Sequence, residues 1–238
     1  MGVHILDAFK EKFYVNFIVD NRWRYITEGL GTTFIVTIFA ILLGVALGFI
    51  VALIRSTADK TGKKSFIVKI LDGLCKIYLT IIRGTPTMIQ LLIMYYIVFS
   101  SPNISKRFVA ILAFGINSGA YVAEIIRSGI MSIDIGQSEA GRSLGLSYAQ
   151  TMVHIISPQA FKNILPALAN EFITLLKETS ICGYIALTDI THGANVIRSQ
   201  TYEPLMPLLA AALIYLVIVT FLSAGVSKLE RRLRTDER

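Results

Sequence analysis

Charge is scarce in this chain. Asp, Glu, Lys and Arg make up 16% of its 238 residues, hydrophobic residues make up 54%, and mean hydropathy is +0.62. A soluble domain carries about a quarter charged residues. The charges here cluster between apolar runs long enough to meet the ~20-residue requirement for crossing a bilayer, which argues against a soluble all-α protein. Cysteine is nearly missing too: Cys75 and Cys182 lie far apart in apolar context, which excludes a metal-ligand pattern and argues against a disulfide. The three histidines, His4, His154 and His192, are scattered outside the apolar runs. H-E-x-x-H does not occur, and the one G-x-S-x-G match, Gly141-Arg142-Ser143-Leu144-Gly145, lies in a polar connection outside the apolar runs, so an intramembrane hydrolase is not indicated. A nucleotide site is also lacking. Its nearest imitation, Thr61-Gly62-Lys63-Lys64-Ser65, has no earlier glycine and places lysine where Ser or Thr should follow Gly-Lys; it reads as a solvated basic loop. No internal repeat and no low-complexity tract is visible. No short apolar run with a small-residue cleavage site opens the chain, so no signal peptide is expected.

What remains is a succession of apolar runs. Five spans are predicted: 32–54, 66–99, 108–126, 166–182 and 205–226. The second is interrupted by Lys76 and by Arg83-Gly84-Thr85-Pro86, and Gly183 is expected to stop the fourth. The first carries Gly44 and Gly48 at GxxxG spacing, a weak sign of close helix contact. The fold class expected is all-α, a polytopic membrane helical bundle. The net charge of +7 is a topology signal, since the cations sit at the ends of apolar segments, and no nucleic acid partner is expected. One set of connections holds Arg55, Lys60, Lys63, Lys64, Lys69, Arg127, Arg142, Lys162, Lys228, Arg231, Arg232, Arg234 and Arg238. The other holds Lys10, Lys12, Arg22, Arg24, Lys106, Arg107 and Arg198, which makes thirteen against seven. The positive-inside rule then places the C-terminus in the cytoplasm and the N-terminus outside.

The polar connection between the third and fourth spans is patterned. Asp134 with Gln137 fits a capping box, predicting a helix from Ile135 to Leu144, and Gly145 suits a left-handed C-terminal turn. Ser147 with Gln150 fits a second box, with a helix ending before Ser157-Pro158. Two short helices at a glycine corner make a compact cytoplasmic knob. It serves either as an amphipathic brace on the membrane surface or as a docking element for a partner.

Glu139-Ala140, then Gly145, then Pro158-Gln159-Ala160 resemble the EAA loop of type I permeases of ATP-binding-cassette importers. Ile82-Arg83-Gly84-Thr85-Pro86, 117–124 (Asn-Ser-Gly-Ala-Tyr-Val-Ala-Glu), Asn170-Glu171-Phe172 and Leu176-Lys177-Glu178-Thr179-Ser180 are similar to the polar amino acid uptake subfamily. The resemblance runs from about residue 29 to 229. It implies an extracytoplasmic segment 1–28, a transmembrane domain 29–229 and a basic cytoplasmic tail 230–238, in a bacterial cell membrane. It implies that the knob fits a groove on a separate ATPase subunit through Glu139, Ala140, Leu144 and Gly145, so that ATP is used by that partner and no cofactor is held here. An extracytoplasmic substrate-binding protein and a second permease subunit, identical or different, complete the assembly. Gly141 departs from the family's commoner alanine and is expected to loosen the first helix by roughly 1 kcal/mol; Ser157 stands where leucine is common.

Ionisable groups within spans are functional candidates. Glu171 and Glu178 are two helical turns apart on one face, with backbones ~10 Å apart along the axis, and could meet a cationic or zwitterionic substrate or simply hold the bundle. At Arg83-Gly84-Thr85-Pro86 the helix should break, with Thr85 capping a new helix and Pro86 at its first position. Such an end suits a substrate carboxylate, unless it is only a kink with Arg83 snorkelling. Tyr121 could stack on a ligand or pack, and Glu124 could pair with Arg127. The function expected is the permease subunit of an ATP-driven importer for a polar amino acid, with a lean toward basic ones. The alternative is a secondary carrier or channel, which would still transport in vesicles without internal ATP.

Overall fold

The computed structural model describes residues 2–60 and 66–235, so the basic loop at 61–65 and the extreme C-terminus, Arg238 included, lie outside it. Among the described residues there is no strand. The described residues form ten α-helices: α1 (Gly2–Phe13), α2 (Trp23–Lys60), α3 (Phe66–Gly84), α4 (Thr87–Ile93), α5 (Lys106–Met131), α6 (Ile135–Ser143), α7 (Tyr148–Thr151), α8 (Ser157–Glu178), α9 (Ile190–Thr201) and α10 (Leu205–Thr235). Wider π-turns follow α1, α4 and α7, and a 3₁₀ stretch, Thr179–Ile185, follows α8.

Three of these helices are long and apolar enough to cross a membrane, over Trp23–Ser56, Lys106–Met131 and Leu205–Leu233. They contain the predicted first, third and fifth spans. The regions expected as the second and fourth spans are helical but carry Lys69, Asp72, Lys76 and Arg83 on α3 and Lys162, Glu171, Lys177 and Glu178 on α8. Helix α2 passes through residues 28 and 29 without a break, and α10 continues through Glu230 into the expected tail.

The bundle is organised around α2 against α5. A Cβ on Gly44 would stand 2.9 Å from Ser118 Cβ, and one on Gly48 2.6 Å from Val122 Cγ1. From the other side, a Cβ on Gly119 would stand 3.0 Å from Leu47 Cβ. Small residues on both helices therefore let the backbones approach, and dispersion replaces the hydrophobic drive that lipid does not supply. The weak GxxxG signal marks the main interface of the fold. Helix α8 packs on α5 and α10, and α9 fits between α2 and α10. A Cβ on Gly29 would collide with the Asp189 carbonyl, and one on Gly193 with that of Tyr25, so glycine is required where α9 meets α2.

Three apolar clusters fill the spaces. Val36, Leu91, Phe114, Leu175 and Ile185 join α2, α4, α5, α8 and the 3₁₀ stretch. Phe17, Ile26, Ile190, Ile197 and Ala211 tie the N-terminal segment to α9 and α10. Val51, Cys75, Leu79, Ala120 and Ala123 join α2, α3 and α5. Both cysteines are free and buried.

Two predicted boundaries, one start and one stop, do not form. Pro166 lies inside α8 instead of opening a span. Gly183 lies within the 3₁₀ stretch, and the left-handed residue that ends it is Ala186, at φ 51°. The Ala186 carbonyl accepts from Lys106 Nζ at 3.3 Å, a contact that helps hold this unusual conformation.

Candidate functional site

The break in the second apolar region is real, but its capping differs from expectation. Pro86, in extended conformation (φ −65°, ψ 135°), is itself the N-cap of α4. Thr85 turns back: its Oγ1 donates to the Ile81 carbonyl at 2.7 Å, serving the end of α3. The reason lies in Gln90, which the sequence reading passed over. Its Nε2 donates to the Ile82 carbonyl and to Thr85 Oγ1, both at 2.8 Å. Thr85 is thus occupied on both sides of its hydroxyl. The Gln90 Oε1 accepts from Asn117 Nδ2 of α5, also at 2.8 Å, and Asn117 is fully buried. One amide therefore bridges the carbonyls freed at the break to the neighbouring span. A glutamine among Met88, Ile89, Leu91 and Leu92 was the available signal.

The next residue of α5 faces α8. Ser118, wholly buried, donates from Oγ to Glu171 Oε1 at 2.8 Å. Glu171 and Glu178 are both half-buried on α8, as the shared face predicted, and Glu178 directly precedes the 3₁₀ stretch. Asn117 and Ser118 thus reach in two directions, toward the break and toward the first carboxylate. Tyr121, one turn further along α5, is 37% exposed and not a packed core residue.

Arg83 takes part in a charged network. Its Nη1 lies 3.7 Å from Glu124 Oε2, and Glu124 also holds Arg127 through Nε and Nη2, the pairing that the three-residue spacing suggested. Beside it, Asp72 receives Lys76 at 2.8 Å and Arg55 at 3.8 Å. A cavity of about 150 Å³ between α2, α3 and α5 is walled by Ala52, Leu79, Ala123 and Ile130, with Glu124 and Arg127 at its polar side.

The knob after α5 is built as the caps predicted, with two corrections. Asp134 caps α6 by accepting from Gly136 N at 2.6 Å, while the Gln137 side chain lies toward Gln159 at 3.5 Å, so the reciprocal half of that box is replaced. Gly145 adopts the left-handed turn at φ 79°, and the Ser147–Gln150 box is complete. Helix α7 does not end before Ser157-Pro158. The chain widens through a π-turn, Met152–Ile156, and enters α8 with Pro158 in its first turn. Proline lacks an N–H and clashes with the carbonyl four residues back; the wider turn relieves both. Gly141 is buried against α7: a Cβ there would lie 2.7 Å from Thr151 Oγ1 and Cγ2. It permits the close contact of α6 with Thr151 of α7. Glu139, Ala140, Leu144 and Gly145 are all exposed.

A helical bundle crossing the membrane, with carboxylates and an opened helix among its spans and a shaped polar loop outside them, defines a transport subunit. Residues 61–235 match the family described as binding-protein-dependent transport system inner membrane component. The chain is 38% identical over 218 residues to the arginine transport system permease protein ArtQ of Bacillus subtilis, covering 90% of this chain and 94% of that one. It is 34% identical to the L-cystine transport system permease protein TcyB of the same organism, covering 89% and 87%. A solved structure, "Crystal structure of an amino acid ABC transporter with histidines", superposes with a TM-score of 0.81 at 40% identity, over 90% of this chain and 96% of that one. The chain belongs to the family of inner-membrane components of binding-protein-dependent transport systems, and is a permease subunit of an ATP-binding-cassette importer.

Proposed function

We propose that this permease carries a polar amino acid, with preference for a cationic one, along the surface where α3, α4, α5 and α8 meet. The observation that carries this reading is the Ser118–Glu171 contact: a carboxylate at the edge of the bundle, oriented by a buried hydroxyl, with Glu178 two turns away on the same helix. The substrate's ammonium or cationic side chain meets Glu178 and Glu171. Its carboxylate meets Arg83 and the end of α4 at Thr85 and Pro86, where backbone N–H groups are available at a helix start. Tyr121 supplies a half-exposed ring beside it. The names of the relatives, which refer to arginine, cystine and amino acids, support the substrate class.

The assembly has two permease subunits, alike or different, a pair of ATPase subunits and an extracytoplasmic binding protein that delivers the amino acid. Residues 1–28 form the extracytoplasmic segment, 29–229 the five-span domain and 230–238 a cytoplasmic tail, in a bacterial cell membrane. The excess of cations at the C-terminal ends of α2 and α10 supports this orientation. The knob then faces the cytoplasm. Glu139, Ala140, Leu144 and Gly145 dock on the ATPase, whose closure on ATP moves α7 and α8 and switches access. Uptake of arginine, histidine and glutamine by wild type and Glu178→Gln tests the reading. A raised Km for the cationic substrates is expected; unchanged Km and rate for all three would remove Glu178 from the pathway.

A further inference from the structure

Helix α8 ends at Glu178, and the residue that follows is wholly buried. This is Thr179, whose Oγ1 donates to the Leu176 carbonyl at 2.7 Å. Successive helical residues point about 100° apart. Thr179 therefore faces the interior while Glu178 projects beside it at the half-buried edge, and whatever grips Thr179 sets the direction of Glu178. What it faces is Tyr215 of α10. The Tyr215 hydroxyl donates to Asp189 Oδ2 at 3.4 Å. The side chains of Thr33, Thr179 and Thr191 stand around the same oxygen, Thr33 Oγ1 without a formed hydrogen bond among the described residues. Asp189 is a firm base for this group. It is wholly buried and accepts from the N–H groups of Thr191 and His192 at 2.8 and 3.1 Å, and its carbonyl lies where a Cβ on Gly29 of α2 would stand. One phenol oxygen thus meets α2, the start of α9 and the end of α8. Phenylalanine would pack α10 as well, and without the cost of burying a hydroxyl. The polar group adds direction, which apolar packing lacks.

We propose that Tyr215 is a positioning residue: its hydroxyl, based on Asp189, holds Thr179 and so fixes the direction in which Glu178 projects. Tyr215 touches no substrate in this scheme and acts only through the end of α8. Its consequence for uptake rests on the substrate reading of Glu178 given above; its hold on the end of α8 does not.

Thiol labelling of the purified importer complex with a charged methanethiosulfonate tests the hold directly, with the protein lacking an added cysteine as baseline. In Glu178→Cys, adding Tyr215→Phe should raise the labelling rate about fivefold, the worth of one net hydrogen bond. Thr174→Cys, exposed one turn earlier on α8, should label at the same rate with or without Tyr215→Phe. Thr179→Val should reproduce the effect of Tyr215→Phe at Glu178→Cys, and Thr179→Ser, which keeps the hydroxyl, should not. An unchanged rate at Glu178→Cys overturns the proposal. An equal rise at Thr174→Cys also overturns it, since Tyr215 would then only hold the bundle together. Arginine uptake supplies the functional arm: Tyr215→Phe should raise Km about fivefold in the wild-type background and leave it unchanged in Glu178→Gln. If Glu178→Gln raises Km and Tyr215→Phe raises it equally in both backgrounds, Tyr215 acts by another route and the proposal falls. If Glu178→Gln alone leaves uptake unchanged, the substrate reading of Glu178 falls, and the labelling rates still decide whether Tyr215 positions it.

Discussion

Gly141 and Thr151 touch so closely that residue 141 has no room for a β-carbon: it would lie 2.7 Å from both Thr151 Oγ1 and Cγ2. Alanine at 141 would gain roughly 1 kcal/mol of helix propensity. Overpacking of a filled contact costs about 1–3 kcal/mol, so the clash prevails. Gly141→Ala should therefore weaken retention of the ATPase on co-purification, and adding Thr151→Ala should recover part of it. Full retention in the single variant would show that α6 shifts freely against α7.

Glu139→Arg should reduce ATPase co-purification without altering the permease's own thermal stability, because Glu139 is exposed and its carbonyl, not its carboxylate, receives the hydrogen bond from Ser143. If the ATPase remains bound at wild-type level, the knob is a membrane brace.

Gly48→Leu should lower the melting temperature of the purified protein, since even a Cβ would meet Val122 Cγ1 at 2.6 Å. Gly31→Ala serves as the control, because nothing lies within 4 Å of its added carbon. Equal melting temperatures for both variants would contradict the packing of α2 on α5.

Gln90→Leu removes the side chain that bridges Ile82, Thr85 and Asn117, leaving buried polar groups unmatched at about 1–3 kcal/mol. The maximal uptake rate should fall more than the Km rises, because the break loses its latch to α5 while Glu171 keeps Ser118. Ser118→Ala should do the reverse, raising Km for a cationic substrate through loss of the hydrogen bond that orients Glu171. Identical effects from both substitutions would mean that Asn117 and Ser118 do not act in separate directions.

The parts of this structure legible in the sequence are those set by neighbours along the chain. Gly145 could be read as left-handed and Ser147 with Gln150 as a box because both depend on residues within one turn. The break at Gly84-Thr85-Pro86 was legible for the same reason, but its capping was not, since Thr85 is claimed by Gln90 five residues away. Helix α9 was missed: its cap, Asp189, is buried and held by the N–H groups of Thr191 and His192, and its fit depends on Gly29 and Gly193 meeting distant carbonyls. Proline misled twice. At Pro158 a π-turn keeps the helix going where local rules end it, and Pro166, expected to open a span, lies inside a helix that began at Ser157. The partner of Glu171 was likewise invisible, because Ser118 is fifty-three positions earlier in the chain.

The uninterrupted path from Tyr148 through the π-turn to Glu178 makes α7 and α8 a single pushrod. From Tyr148 to Glu171 the rod is ~35 Å long at about 1.5 Å per residue. With no loop between them, nothing along the path would absorb as slack a movement imposed on the end beside Ser147 before it reached the carboxylates. The five wider residues, Met152–Ile156, and Pro166 are the two places along it where the regular hydrogen-bond ladder is interrupted, and a stroke transmitted along the rod would depend on how stiff they are.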